Sequence, residues 1–205
     1  MTSMADRLLF ASLWMRQPFR IAAASPSGQA LATLITASIE PDEGPVVELG
    51  AGTGVFTRTL LDRGVREKDL LLIESNPLLA QVLGRRFPAA HVVVADAAAL
   101  ASHYPFGSCR AGAVISGLPL LSIPQPRVVD ILSAAFGVLH QGGALFQFTY
   151  GYRCPVHDDV LDWNQWSAER VGWVLANLPP ATVYRFQQSV RRPKCDHPSQ
   201  SFPSL

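Results

Sequence analysis

The stretch Val46-Val47-Glu48-Leu49 runs without a break into Gly50-Ala51-Gly52-Thr53-Gly54, and this junction limits the possible folds more than any other feature. The β-branched residues favour a strand. Glycines at alternate positions let the backbone turn sharply and approach a ligand with no Cβ in the way. A helix is predicted over 52–63, giving a strand–turn–helix unit whose next parallel strand requires a crossover. The pattern repeats downstream, with strands predicted over 69–74, 91–95, 112–116 and 144–150 and helices over 77–87, 97–103 and 126–139. Short apolar strands alternating with helices indicate a parallel sheet covered on both faces.

After Tyr150 the alternation stops. Residues 170–175 and 182–188 read as two strands joined by a link too short for a crossover helix, so an antiparallel hairpin is expected at the sheet's end. Gly142-Gly143 is expected to end the helix before the fifth strand. The fold class is therefore α/β: a Rossmann-like, mostly parallel seven-stranded sheet with a C-terminal antiparallel hairpin and helices on both faces. A further helix is expected from Ser25 to about Ile39, with Pro26 suited to its first turn. The main domain is expected over 23–190. Residues 191–205, which hold Pro193, Pro198 and Pro203, read as a disordered tail.

Three acids close three successive predicted strands: Glu48, Glu74 and Asp96. In an open parallel sheet, groups at the carboxyl ends of the strands face one crevice. A carboxylate beside Gly50, Gly52 and Gly54 is a poor neighbour for a pyrophosphate but a good partner for a cation. The amino-acid end of S-adenosylmethionine carries an ammonium and a sulfonium, so Glu48 suits that cofactor better than a nicotinamide dinucleotide. Glu74 is placed to accept hydrogen bonds from ribose hydroxyls, with Ser75 beside it. Asp96 is placed to accept from the adenine amino group, with Ala97 flanking the ring. Ser116, ending the fourth strand, completes the expected cofactor set.

The bulk properties narrow the partners. The 205 residues carry a formal net charge of +1, without the basic excess that gripping many phosphates requires, which disfavours nucleic acid. Cys109, Cys154 and Cys195 form no CxxC pair, and the histidines show no ligand spacing, so no metal is expected and a reducing cytoplasm is the natural setting. No apolar run reaches the roughly 20 residues of a membrane span. Residues 6–21 instead read as a short helix interrupted at Pro18, with Leu9, Phe10, Leu13 and Trp14 on one face and Arg16 and Arg20 close by. Such a segment suits a packed lid, a disordered leader or a helix lying in a membrane interface.

With the glycine loop, Glu74 and Asp96 in place, the chain resembles the class I methyltransferases. Ser116-Gly117-Leu118-Pro119-Leu120-Leu121, Gln147-Phe148-Thr149-Tyr150-Gly151, the segment from Asn177 to Arg185 and the N-terminal Ala24-Ser25-Pro26-Ser27 narrow the resemblance. Together they are similar to the bacterial phospholipid N-methyltransferases. That resemblance implies stepwise methylation of phosphatidylethanolamine towards phosphatidylcholine. It also implies a membrane-associating helix over 1–22, an anionic membrane surface as partner, and a monomer peripherally attached to the inner face of the cell membrane. Tyr150 becomes the candidate catalytic residue, orienting the amine. Leu118 and Pro119 are expected to line the methyl-transfer side, and Tyr152 and Arg153 to meet the headgroup. The rRNA adenine dimethyltransferases share the layout but carry an Asn-Leu-Pro-aromatic motif where this chain has Gly117-Leu118-Pro119-Leu120, lacking both the amide and the stacking ring. An RNA substrate is therefore the lesser expectation, and a catalytically silent cofactor- or lipid-binding module is a third.

Overall fold

The computed structural model describes residues 26–175 and 180–189. The expected N-terminal helix, with Leu9, Phe10, Leu13, Trp14, Arg16 and Arg20, lies outside the described residues, as do the tail and most of the hairpin link. Helix α1 (Pro26–Thr36) leads into β1 (Val46–Leu49), α2 (Val55–Asp62), β2 (Leu70–Glu74), α3 (Pro77–Arg86) and β3 (His91–Val94). There follow α4 (Leu100–His103), β4 (Ala111–Ser116), α5 (Gln125–Val138), β5 (Leu139–Tyr150), α6 (Asp158–Asn164), β6 (Trp166–Val174) and β7 (Ala181–Gln188).

The strands form one sheet in the order β3-β2-β1-β4-β5-β7-β6. β1 to β5 pair in parallel, while β7 inserts antiparallel between β5 and β6. The expected hairpin is thus present. Strand β6 starts four residues earlier than the sequence suggested, because Ser167 and Glu169 are polar residues on an edge strand, where one face remains solvated.

Both faces of β1, β2 and β4 are buried, and alternate residues of these strands belong to separate cores. Val47, Leu49, Leu71, Ile73, Val114 and Leu145 pack under α5 with Val128, Leu132 and Phe136. Val46, Leu70, Leu72, Ala113, Ile115 and Phe146 pack on the opposite side with Leu31, Ile35, Phe56, Leu60 and Leu83 of α1, α2 and α3. Period two in the strands meets the three-to-four spacing of the helices, which is why each of these strands reads as continuously apolar. Truncating one of these fully buried leucines to alanine costs about 2–5 kcal/mol.

Two expectations need correction. Gly142-Gly143 does not end a helix. Helix α5 stops at Val138, Leu139 is already extended, and the glycines lie inside β5. Gly142 has φ +95° and sits where the β4–β5 register slips, between the pairs Ala111–Leu139 and Ala113–Ala144. The pair therefore serves a β-bulge. Helix α6 was also not expected, since Asp158-Asp159-Val160-Leu161-Asp162-Trp163-Asn164 buries only Leu161 and shows no extended apolar stripe.

Candidate active site

The strand order reverses between β1 and β4, so the chain leaves these two strands in opposite directions and opens a crevice at their carboxyl ends. The backbone stays tied on both sides of it. The Gly50 amide donates to the Ile73 carbonyl at 2.8 Å, and the Gly117 amide donates to the Leu49 carbonyl at 2.8 Å. Gly50, Gly52 and Gly54 have φ of +70°, +57° and +77°, a region that costs any other L-residue energy. A Cβ on Gly54 would lie 2.4 Å from Phe87 Cε2, and one on Gly50 would lie 2.8 Å from Leu118 Cδ2. The loop is thus pressed between α3 and the segment after β4.

Glu74 holds the loop from β2. Its Oε2 accepts from the Gly52 amide at 2.9 Å and its Oε1 from the Asn76 amide at 2.9 Å, with the residue 7% exposed. Each carboxylate oxygen keeps a lone pair for a ligand hydroxyl. Ser75 follows on the surface. Glu48 is more deeply placed, 1% exposed, and accepts from the Thr57 hydroxyl at 2.5 Å. Burial pushes its carboxyl up to about 8, against the pull of the Thr57 hydrogen bonds and with a further push from the Glu74 charge. The carboxyl is therefore mostly neutral at pH 7 without a ligand, and a cationic ligand group beside it would favour its ionised form.

Asp96 lies at the far side, capping the short turn at Ala97–Ala99 by accepting from the Ala98 amide at 2.8 Å. Its other oxygen pairs with Arg127 at 2.6 Å. The Ala98 hydrogen bond, followed by Arg127, holds its carboxyl below the usual carboxylate range. Asp96 is therefore ionised and oriented at neutral pH, and Ala97 beside it is buried.

On the other flank, Ser116 is fully buried at the end of β4, and its hydroxyl lies 3.4 Å from the Leu118 amide. Leu118 and Pro119 are half-buried beside it. Tyr150, half-buried at the end of β5, packs edge-on against Phe148 at 5.6 Å, and Phe148 in turn meets Phe56 of α2 at 5.8 Å. This ring ladder links the helix after the glycine loop to Tyr150. Burial pushes the Tyr150 phenol up, so it stays protonated at neutral pH. Tyr152 and Arg153 are exposed on the segment that follows. That segment is fixed from β7, where the Thr182 hydroxyl donates to Gly151 O at 2.6 Å and the Tyr184 hydroxyl to Tyr152 O at 2.8 Å.

The structure thus gathers Glu48, the three glycines, Glu74, Ser116, Leu118 and Pro119 around one crevice, with Asp96 and Ala97 at one end and Tyr150 at the other. Sequence reasoning missed Thr57, Arg127 and the part played by Gln147. For Thr57 a signal existed, since a hydroxyl in the first turn of α2 faces the strand that carries Glu48. Among the described residues no cluster of three metal-ligating side chains occurs, and no helix is long and apolar enough to cross a membrane.

These groups suit S-adenosylmethionine. The loop leaves room where side chains would be, Glu74 retains acceptor capacity for hydroxyls, and a cation would favour the ionised form of buried Glu48. No protein-family model matches the chain. It is 31% identical over 151 residues to ornithine lipid N-methyltransferase of Singulisphaera acidiphila, a match covering 71% of this chain and 79% of that protein. Magnesium protoporphyrin IX methyltransferase from Synechocystis, solved with bound S-adenosylmethionine, superposes with a TM-score of 0.61 at 13% identity, covering 92% of this chain and 99% of the other. A Burkholderia thailandensis 1,6-didemethyltoxoflavin N1-methyltransferase gives a TM-score of 0.62 at 13% identity, covering 91% and 87%. Fold, crevice and sequence kinship together establish that the chain belongs to the class I S-adenosylmethionine-dependent methyltransferases.

Proposed function

We propose that the chain methylates the primary amine of a membrane lipid headgroup, phosphatidylethanolamine, stepwise towards phosphatidylcholine. It acts as a monomer from the inner face of the cell membrane. The observation that carries this reading is the 31% identity to a lipid N-methyltransferase. The segment after β4, which offers no side-chain amide and no stacking ring to a nucleobase, supports it. Because that relative is an ornithine lipid N-methyltransferase, the amine of ornithine lipid is the second reading.

When bound, S-adenosylmethionine supplies a methyl group on a cationic sulfonium, so the protein's work is alignment, desolvation and removal of a proton. Glu48 holds the ammonium end, Glu74 the ribose with Ser75 at its edge, and Asp96 with Ala97 the adenine. Ser116, Leu118 and Pro119 wall the transfer side and exclude water. Tyr150, protonated, orients the amine through its hydroxyl or ring and does not serve as its base. Tyr152 and Arg153 meet the headgroup, Arg153 through its phosphate. Leu9, Phe10, Leu13 and Trp14 sink into the interface while Arg16 and Arg20 face anionic lipid.

The test is methyl-labelled S-adenosylmethionine with three acceptors in parallel: phosphatidylethanolamine liposomes, ornithine lipid liposomes, and RNA. Label in mono- and dimethyl phosphatidylethanolamine is expected. Label only in ornithine lipid transfers the assignment to that headgroup, and label only in RNA refutes the lipid reading. Cofactor binding with no label anywhere points to the silent module.

A further inference from the structure

Two buried polar atoms near the crevice have no protein partner, Thr53 Oγ1 in the glycine loop and Gln147 Oε1 on β5, and the second lies outside the cofactor-holding residues. Leu49, Ser116, Gln147 and Tyr184 stand side by side across β1, β4, β5 and β7, as the register pairs them. Leu49 and Ser116 are the last residues before Gly50 and Gly117, so this row forms the floor of the crevice. Strand β5 continues past it to Tyr150 and rises as a wall. Gln147 is fully buried within the row.

Its amide has one side satisfied and one side not. Nε2 donates to Leu118 O at 2.9 Å and to Phe148 O at 2.5 Å. Both neighbours are carbonyl oxygens, which only accept, so the NH2 must face them and the amide cannot be turned over. Oε1 is thereby left buried with no donor. A buried carbonyl without a protein donor is costly and rare in folded proteins, and it leaves an acceptor that a donor from outside the protein can satisfy. The amide also ties β5 to Leu118, whose side chain lies against Gly50. The orphan acceptor therefore belongs to the hinge between the cofactor loop and the transfer side.

We infer that Gln147 is an amine-recognition residue, its Oε1 accepting a hydrogen bond from an N–H of the acceptor amine and so fixing the direction of the nitrogen lone pair. This rests on the amine-methylation reading above, and it entails that arrival of the substrate uncovers the oxygen. The chemistry gives it a signature. A neutral primary amine has two N–H groups, its monomethyl product has one and its dimethyl product none. The contact is available to the first two methylations and absent from the third.

The experiment compares wild type with Gln147→Met on primary, monomethyl and dimethyl phosphatidylethanolamine, each supplied separately, after S-adenosylhomocysteine titration has verified the fold. The kcat/KM is expected to fall about tenfold on the two N–H-bearing substrates and to stay within about twofold on the dimethyl one. A binding readout runs beside it. In the presence of S-adenosylhomocysteine, the variant loses affinity for short-chain phosphatidylethanolamine but keeps it for short-chain phosphatidylcholine, whose quaternary nitrogen has no N–H. Equal loss on all lipids, or no loss on the primary amine, overturns the inference while leaving lipid methylation intact. Failure of wild type to methylate or bind any amine lipid overturns both. Should Gln147→Met not fold, Gln147→Asn keeps the amide, withdraws its oxygen by one methylene, and carries the same comparisons.

Discussion

With Glu48 as the partner of the cofactor's ammonium, cofactor binding should release a proton below about pH 8. The Glu48 carboxyl is buried, held by the hydroxyl and backbone amide of Thr57, and pushed up to about 8. If the ammonium of the cofactor is its partner, only the ionised form binds well. The ionised fraction rises from about 1% at pH 6 to about half at pH 8, and apparent affinity scales with the competent fraction. Affinity for S-adenosylhomocysteine, which has the same amino-acid end, should therefore increase about fiftyfold over that interval, or roughly 2.3 kcal/mol. Above pH 8 at most a further twofold remains, because Glu48 is already about half ionised there. The unliganded protein should show the opposite trend in its stability. A carboxyl raised in the folded state favours folding at low pH and loses that contribution between its unfolded value of about 4.5 and 8, some 3 kcal/mol by pH 7. Isothermal titration at pH 6, 7 and 8, in buffers of different ionisation enthalpy, reads affinity and proton release together. Glu48→Gln should bind more weakly with a flat profile between pH 6 and about 7.5 and should be more stable than wild type at pH 7 without ligand. Wild-type affinity constant within about threefold from pH 6 to 8, with no proton released, would refute the pairing.

The two outer glycines should respond differently to alanine. Gly54→Ala brings left-handed strain and a Cβ 2.4 Å from the ring of buried Phe87, so urea denaturation should show a loss of about 2–4 kcal/mol. Gly50→Ala meets only the end of the flexible Leu118 side chain, so its stability loss should be nearer 1–2 kcal/mol, with the larger effect on cofactor affinity. Glu74→Gln leaves one of two backbone amides facing an NH2, and thermal and cofactor titrations should register about 1–3 kcal/mol lost in stability along with weaker binding. Deletion of residues 1–20 should abolish methylation of liposomes while S-adenosylhomocysteine binding stays unchanged. Equal liposome activity in the truncated protein would remove the membrane role from that segment.

The parallel half of the sheet was legible because its signals are local. Each of β1 to β4 is a short, mainly apolar run ending near glycine, an acid or serine, and in β1, β2 and β4 burial on both faces makes the pattern continuous. The three candidate acids were legible for the same reason, since Glu48, Glu74 and Asp96 all lie within two residues of a strand's carboxyl end, where groups face the crevice. What was hidden depends on partners distant in sequence. Gly142 looks like a helix stop, and only the β4–β5 register turns it into a bulge. Asp158 to Asn164 has the length of a loop and becomes helical because Leu161 finds the α5 core. Gln147 shows the same limit at the site itself. In sequence it is one polar residue of Gln147-Phe148-Thr149-Tyr150-Gly151, a segment that carries the family resemblance but gives Gln147 no role of its own. Parallel pairing with Ser116 and antiparallel pairing with Tyr184 place it in the interior, and the Leu118 carbonyl, 29 residues away, decides which way its amide points. Cofactor chemistry sits at strand ends and can be read from one strand at a time. Acceptor chemistry is assembled across β4, β5 and β7, so residues that discriminate one amine from another emerge only when those strands are set side by side.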